Sequence, residues 1–172
     1  SAGTVLSGRY EIQEKIGTGG MAVVYRGRDL KLERNVTVKV LKEEFTHEED
    51  FKSRFTTEAR SAARLSHPNI VNVYDVGEDN GIYYIVMEYI HGESLLDYIR
   101  YRSLNIDKKS RVADRIIACM ALLHERGVVH GDIHARQFII DHNGFVFLLD
   151  FGYSYLKEQT DIVNIVCGGI YN

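Results

Sequence analysis

The sequence has few of the features that mark several large classes of protein. Its two cysteines, Cys119 and Cys167, lie far apart and imply neither a metal site nor a disulfide framework. No apolar run reaches the roughly 18 residues of a membrane span, and no signal peptide is visible. We therefore expect a cytoplasmic protein with no membrane span in this chain.

An excess of basic charge is also missing. The net charge is -3 at pH 7 and the sequence pI is about 6.2. Nucleic-acid-binding domains usually have a basic surface and a high pI, so we expect no nucleic-acid partner. Hydrophobic residues make up 45% of the chain and charged residues 26%, which is enough apolar material for a sizeable core.

The first half of the chain has the pattern of a β-sheet with one helix. Apolar or small residues at helical spacing predict a helix over Phe51–Leu65, which ends before the single proline, Pro68, because proline disfavours helix at the preceding residue. Alternating and β-branched residues predict five strands: Tyr10–Ile16, Ala22–Gly27, Asn35–Leu41, Ile70–Val76 and Tyr83–Glu88.

The second half is predicted to be mostly helical. Helices are expected over Ser94–Tyr101 and Asp107–Arg126, the second capped by Gly127. A hairpin is expected at Asn143-Gly144, because a short β-prone segment lies on each side of it. We place a boundary near residues 88–92, which gives one domain over 1–89 and another over 90–172.

Three glycines separate the first two predicted strands. Gly17, Gly19 and Gly20 stand in the segment G-T-G-G-M-A, and a glycine backbone can approach anionic oxygens without a side chain in the way. A dinucleotide-binding or Walker loop would lead into a helix, whereas this one leads into a strand. The segment is either a loop that covers phosphates or an ordinary hairpin.

Lys39 lies in a predicted strand between Val38 and Val40, so its side chain points to the opposite sheet face from theirs. Glu58, 19 positions later in the predicted helix, is a candidate partner that could hold the lysine towards phosphates. The alternatives are an amphipathic strand with a solvated lysine and a surface glutamate.

Two carboxylates lie 18 residues apart, on either side of the predicted hairpin. Asp132 stands in the segment H-G-D-I-H-A-R-Q-F, and Asp150 begins Asp150-Phe151-Gly152. If the two converge, one can orient a hydroxyl nucleophile and the other can bind Mg²⁺. Asp132 alone could equally be a turn residue.

The order and spacing of these motifs resemble the eukaryotic-like (Hanks-type) serine/threonine protein kinases of bacteria. The resemblance is carried by G-x-G-G-M-A-x-V-Y from Gly17 and by the run from Arg54 to Glu78. It implies an α+β, protein kinase-like fold with a five-stranded antiparallel N-lobe sheet plus a helix. A minimal, mostly helical partial C-lobe would follow, truncated after the activation segment.

The same resemblance implies ATP and Mg²⁺ as cofactors. Adenine would lie against Val24 and Thr37 on one side and Ile139 on the other, with Met87 as gatekeeper. The full set implied to bind ATP is Gly17, Gly19, Gly20, Val24, Thr37, Lys39, Met87, Glu88, Ile90 and Ile139, with Glu88 and Ile90 acting through their backbones.

Catalysis is implied for Lys39, Glu58, Asp132 and His134, and metal binding for Asp150 and Gln137. Losing one of these groups should lower the rate more than the nucleotide affinity, because catalysis in this class is mainly positioning and charge stabilisation.

Four residues depart from the family pattern. Gly131 replaces an arginine that receives an activation-loop phosphate, and His134 replaces a lysine beside the transferring phosphoryl group. Gln137 replaces a metal-binding asparagine and reaches one methylene further, while Thr37 replaces an alanine over the adenine. These changes keep two alternatives open: a nucleotide-binding pseudokinase, and a small-molecule kinase, for which the H-G-D segment is also typical.

The expected partners are ATP and a protein substrate, or the chain itself. The apolar stripe in residues 107–126 and the apolar tail 162–166 would lack the packing partners of a longer kinase domain. Exposed apolar surface of this kind usually mediates association. We therefore expect a homo-oligomer formed through the C-lobe surface or an exchanged tail.

Overall fold

The computed structural model describes residues 2–64, 71–101, 105–125 and 138–148. The chain divides into two compact units, and the division falls between Tyr89 and Ile90. The first unit contains the described residues up to Tyr89, and the second contains those from Ile90 onward.

The first unit is built on one six-stranded antiparallel sheet. The strands are β1 (Val5–Leu6), β2 (Tyr10–Thr18), β3 (Ala22–Asp29), β4 (Arg34–Leu41), β5 (Val73–Asp79) and β6 (Ile82–Glu88). Their order in the sheet is β1-β2-β3-β4-β6-β5. A 3-10 helix (Glu43–Phe45) and α1 (Glu49–Ala63) connect β4 to β5. All five predicted strands and the predicted helix are confirmed, with β5 beginning three residues late. The short edge strand β1 was not predicted.

The two faces of this sheet differ in chemistry. Side chains alternate along a strand, so Val36 and Val38 of β4 lie on one face and Thr37 and Lys39 on the other. The valine face carries a hydrophobic cluster of buried residues, which includes Leu6, Tyr10, Ile12, Val36, Val38, Tyr84 and Val86. The opposite face therefore places two polar side chains among buried residues.

A polar network fixes the end of the sheet where β2 begins and β3 ends. Arg9 donates from Nε and Nη2 to the two carboxylate oxygens of Asp29, at 3.0 and 2.8 Å. Asp29 also accepts hydrogen bonds from the backbone N–H groups of Lys31 and Leu32, at 3.0 and 3.1 Å. Asp29 is buried, and its hydrogen bonds with Arg9 lower the pKa of its carboxyl to about 2.

The second unit combines a three-stranded antiparallel sheet, in the order β7-β8-β9, with two helices. Its elements are β7 (Gly92–Ser94), α2 (Leu95–Tyr101), α3 (Ile106–Glu125), β8 (Phe138–Asp141) and β9 (Val146–Leu148). Both predicted helices and the hairpin are confirmed; β7 was not predicted. At the hairpin turn, Oδ1 of Asp141 accepts hydrogen bonds from the N–H groups of Asn143 and Phe145, both at 2.9 Å.

Helix α3 buries only part of its predicted apolar stripe. Val112 and Ile116 are buried, whereas Ile117 is 60% exposed. The side chains of Met120 and Leu123, and the predicted cap Gly127, lie outside what the structure describes.

Within the described ranges, no helix combines the length and the apolar character needed to cross a lipid bilayer.

Candidate functional site

A buried lysine marks the polar face of the first sheet. Lys39 lies in the middle of β4, is only 3% exposed, and pairs with Val24 of β3 and Ile85 of β6. Its ammonium nitrogen, Nζ, lies 5.8 Å from the centroid of the Phe55 ring on α1. A side chain this buried is not solvated, so the solvated-lysine alternative is excluded. Lysine is almost never fully buried unless its charge is paired.

Three other predicted site residues share this face with Lys39. Val24 is directly opposite Lys39, and Thr37 is two residues before it and directly opposite Met87. Val24, Thr37 and Met87 are all buried. On this face Lys39 and Thr37 thus stand beside apolar neighbours, and Arg26, which is directly opposite Thr37, adds a second cation at a spacing set by strand register.

The glycine-rich segment forms the hairpin between β2 and β3. The N–H of Gly19 donates to the carbonyl of Ala22 at 2.8 Å, and the N–H of Lys42 donates to the carbonyl of Met21 at 2.8 Å. The second bond connects the tip of the hairpin to the end of β4, the strand that carries Lys39. A Cβ built on Gly17 would lie 3.9 Å from Cβ of Val24, an ordinary contact. The fold of this unit therefore leaves room for a side chain at position 17.

Ile16 was not among the predicted site residues. It lies at an irregularity in the pairing of β2 with β3, between Lys15 and Gly17, and is 46% exposed. The sequence does contain a signal for Ile16, because a large apolar residue stands directly before the first glycine of the hairpin. An exposed isoleucine at this position offers an apolar contact beside the hairpin.

The end of β6 is held by Asn72. The N–H of Glu88 donates to the carbonyl of Asn72 at 2.8 Å, and Oε1 of Glu88 accepts from Asn72 N and Nδ2 at 3.2 and 3.3 Å. Because the Glu88 N–H is used within the unit, a ligand contact by the Glu88 backbone would use its carbonyl oxygen. Ile90, the other predicted backbone contact, is the first residue of the second unit and is half-buried.

In the second unit, Ile139 stands on the opposite face of β8 from Phe138 and Ile140. Those two neighbours are fully buried, whereas Ile139 is half-buried. A Cβ on Gly92 would come within 2.9 Å of Ile139 Cγ2, and closer still to the carbonyl oxygen of Ile140. Gly92 is therefore required for β7 to approach β8 this closely.

The remaining predicted residues are not placed by the structure. Glu58 lies within α1, three residues after Phe55, but its side chain is outside the described part. The other predicted site residues, Asp132, His134, Gln137 and Asp150, also lie outside it. Among the residues that are described, no group of three or more histidine, cysteine or acidic side chains is arranged to hold a metal ion.

Comparison with known proteins agrees with this arrangement. The family model described as "Protein kinase domain" matches residues 10–171. Over 172 residues, the chain is 40% identical to the serine/threonine-protein kinase PrkC of Bacillus subtilis, covering 98% of this chain and 26% of that protein. It is 41% identical over 155 residues to PknB of Mycobacterium tuberculosis, covering 86% of this chain and 24% of PknB. The chain thus spans about a quarter of the length of these relatives.

Solved structures show the same fold. The apo form of PpkA-294 superposes with a TM-score of 0.76 at 28% identity, over 90% of this chain and 61% of that one. The PknI kinase domain of Mycobacterium tuberculosis gives a TM-score of 0.72 at 26% identity, over 88% of this chain and 62% of that one. The predicted fold class is confirmed. Together with the family match over nearly its whole length, these likenesses establish that the chain belongs to the protein kinase family, among relatives that are bacterial serine/threonine kinases.

Proposed function

We propose that this chain binds Mg-ATP and transfers its terminal phosphoryl group to a serine or threonine hydroxyl of a protein, either a substrate or another copy of the chain. The observation that carries the proposal is Lys39, 3% exposed on a sheet face that also presents Val24, Thr37 and Met87. A fixed cation beside an apolar patch suits a ligand with an anionic end and a flat aromatic end.

The residues of the first unit fit such a ligand. Lys39 supplies positive charge for phosphate oxygens, and Val24 and Met87 supply apolar surface for the base. Gly17 has space above its Cα, so the backbone of the hairpin can approach phosphates. The hydroxyl of Thr37 is the one feature that an adenine ring does not require.

The other proposed roles rest on the family resemblance and the sequence motifs. Asp132 would orient the attacking hydroxyl, with His134 beside the transferring group. Asp150 and Gln137 would hold Mg²⁺, and Ile139 would cover the second side of the base. ATP supplies the phosphoryl group, and the protein contributes position and charge. The two units would correspond to a kinase N-lobe (1–89) and a partial C-lobe (90–172).

The substitutions at His134 and Gln137 favour a second candidate function. With the ordinary histidine pKa of about 6.5, a histidine in place of lysine is mostly neutral at pH 7. The longer side chain of glutamine moves the amide oxygen that would bind Mg²⁺, a cation that demands near-ideal octahedral geometry. Both changes weaken charge stabilisation of the transition state more than nucleotide binding. The second candidate is therefore a nucleotide-binding pseudokinase. A small-molecule kinase is the weaker alternative.

Transfer of radiolabelled phosphate from ATP tests the proposal. We expect label to appear on protein, and Asp132→Asn to lower its rate by about 10²–10⁴-fold, the usual effect of losing a general acid or base. Asp114→Asn, an exposed aspartate on α3, is the matched control and should leave the rate unchanged. Saturable ATP binding with no label on any protein would instead establish the pseudokinase, and label on small alcohols alone would establish the small-molecule kinase.

Gly17→Ala separates ligand binding from folding. Because Cβ at this position meets only an ordinary contact with Val24, we expect the urea-unfolding free energy to stay within about 0.5 kcal/mol of wild type. The added methyl would nevertheless obstruct phosphates, weakening ATP binding by about tenfold in calorimetry. Lys15→Ala, two residues earlier on the same strand and exposed, should change neither quantity. Unaltered ATP affinity in Gly17→Ala would remove the hairpin from the site.

Self-association stays a prediction. Ile106, Ile117 and Phe145 of the second unit are 67%, 60% and 50% exposed, which supports an apolar contact surface there. Light scattering of the full chain, with and without ATP, should give a mass above that of the monomer. A monomer under both conditions would exclude association.

A further inference from the structure

The contact between Phe55 and Lys39 joins helix α1 to the lysine strand. Phe55 is 4% exposed and Lys39 is 3% exposed, so little water reaches either side chain. The 5.8 Å between Nζ and the ring centroid lies within the range of a cation–π interaction. The face of a phenylalanine ring carries partial negative charge, so the ring offsets part of the cost of burying an ammonium group.

The ring also restricts where the ammonium group can be. A lysine side chain has a flexible four-carbon stem, and much of its rotamer freedom must be lost before it can hold a ligand in one position. Phe55 is packed in the interior on a helix that lies against β5 and β6, so its ring is a fixed surface. An ammonium group attracted to that surface is confined on its helix side.

We infer that Phe55 is a positioning residue for Lys39, whose aromatic ring holds the ammonium group ready for the phosphates of the nucleotide. This inference rests on the proposed function for its consequence, which is tighter binding of ATP. The contact itself exists in the free protein and can be tested without ATP.

A second phenylalanine on the same helix provides the matched control. Phe51 stands one turn before Phe55 and packs edge-to-face on Phe45, with ring centroids 5.0 Å apart and an interplanar angle of 67°. It therefore helps to dock α1 through another ring rather than through a cation. A purely structural role predicts similar behaviour at positions 51 and 55, whereas a positioning role predicts an effect at position 55 alone.

Stepwise fluorination of the ring is the decisive change, because fluorine withdraws electrons from the ring face and leaves its shape nearly unaltered. We would incorporate mono-, di- and trifluorinated phenylalanine at position 55 or position 51 of the full chain. Calorimetry would give the affinity for Mg-ATP, and thermal melting would report the fold. At position 55 we expect the affinity to fall with each fluorine, reaching about 2- to 5-fold, while the melting temperature falls by no more than a few degrees, because the weakened contact is also present in the free protein. At position 51 we expect no trend.

A second measurement needs no nucleotide. Mass spectrometry can measure how fast an amine-reactive ester acylates Lys39, relative to exposed Lys15. We expect this rate to become about 2- to 5-fold faster as the ring at position 55 is fluorinated, because the amine must leave the ring before it can attack the ester. Equal acylation rates and equal ATP affinities across the series at position 55 would overturn the inference. If wild type binds no ATP, the proposed function fails, and the acylation series alone decides the role of Phe55.

Discussion

We expect Lys39→Met to lower the rate of the proposed phosphoryl transfer by about 10²–10³-fold, the usual cost of removing one group that stabilises charge in a transition state. Methionine retains most of the apolar stem of lysine and removes only the charged end. The measurement is the initial rate of labelled-phosphate transfer at saturating ATP, paired with urea unfolding.

Lys15→Met is the control for this variant. Lys15 lies on β2, which is separated from β4 by β3, and is exposed, so the same substitution there should change neither rate nor stability. A Lys39→Met protein that keeps wild-type activity would show that the buried charge serves the fold and not the reaction. A variant that unfolds would show that the charge is needed for stability.

Asp29→Asn destabilises the first unit by about 2 kcal/mol at neutral pH. The carboxylate accepts two hydrogen bonds from Arg9 and two from backbone N–H groups, and an amide cannot accept both from the guanidinium. Breaking a buried ion pair costs about 3–5 kcal/mol, and the 32% exposure of the Arg9 side chain reduces that cost through solvent screening. Urea unfolding of wild type and variant measures the difference.

The pH dependence gives this prediction a second test. The pKa of Asp29 is lowered to about 2 in the folded protein, against about 3.9 in an unfolded chain. A depressed carboxyl pKa stabilises the fold above the unfolded pKa, and that stabilisation is lost as the pH falls from about 4 towards about 2. The difference between wild type and Asp29→Asn should therefore be constant from pH 7 to pH 5 and shrink below pH 4. Asp114→Asn, exposed on α3, is the control and should leave the free energy of unfolding unchanged at neutral pH. A gap between wild type and Asp29→Asn that widened in acid would contradict the assignment.

Local patterns predicted most of the fold because most of its elements carry a period of their own. In β4, alternation alone separates Val38 from Lys39, and the structure places them on opposite faces. The two strands that were missed have no such period. β1 is two residues long and is held by backbone bonds around it, including Gly3 N–H to the carbonyl of Ile12. β7 exists because it pairs with β8, which begins 44 residues after β7 ends.

Sequence patterns likewise predicted only part of the candidate site. Val24, Thr37 and Met87 follow from the family resemblance, and strand register then brings them beside Lys39. The contribution of Phe55 depends on how α1 docks against the sheet, which no spacing within the helix specifies. Ile16 was missed because the irregularity that exposes it is a property of two paired strands rather than one.

Titration of the full chain with Mg-ATP in a calorimeter is the most direct test of a nucleotide site on the Lys39 face. Saturable heat from a single class of sites, reduced by prior addition of ADP and weakened in Lys39→Met but not in Lys15→Met, is the predicted result. Absence of heat with ATP, ADP and AMP, in protein that melts cooperatively, would contradict it.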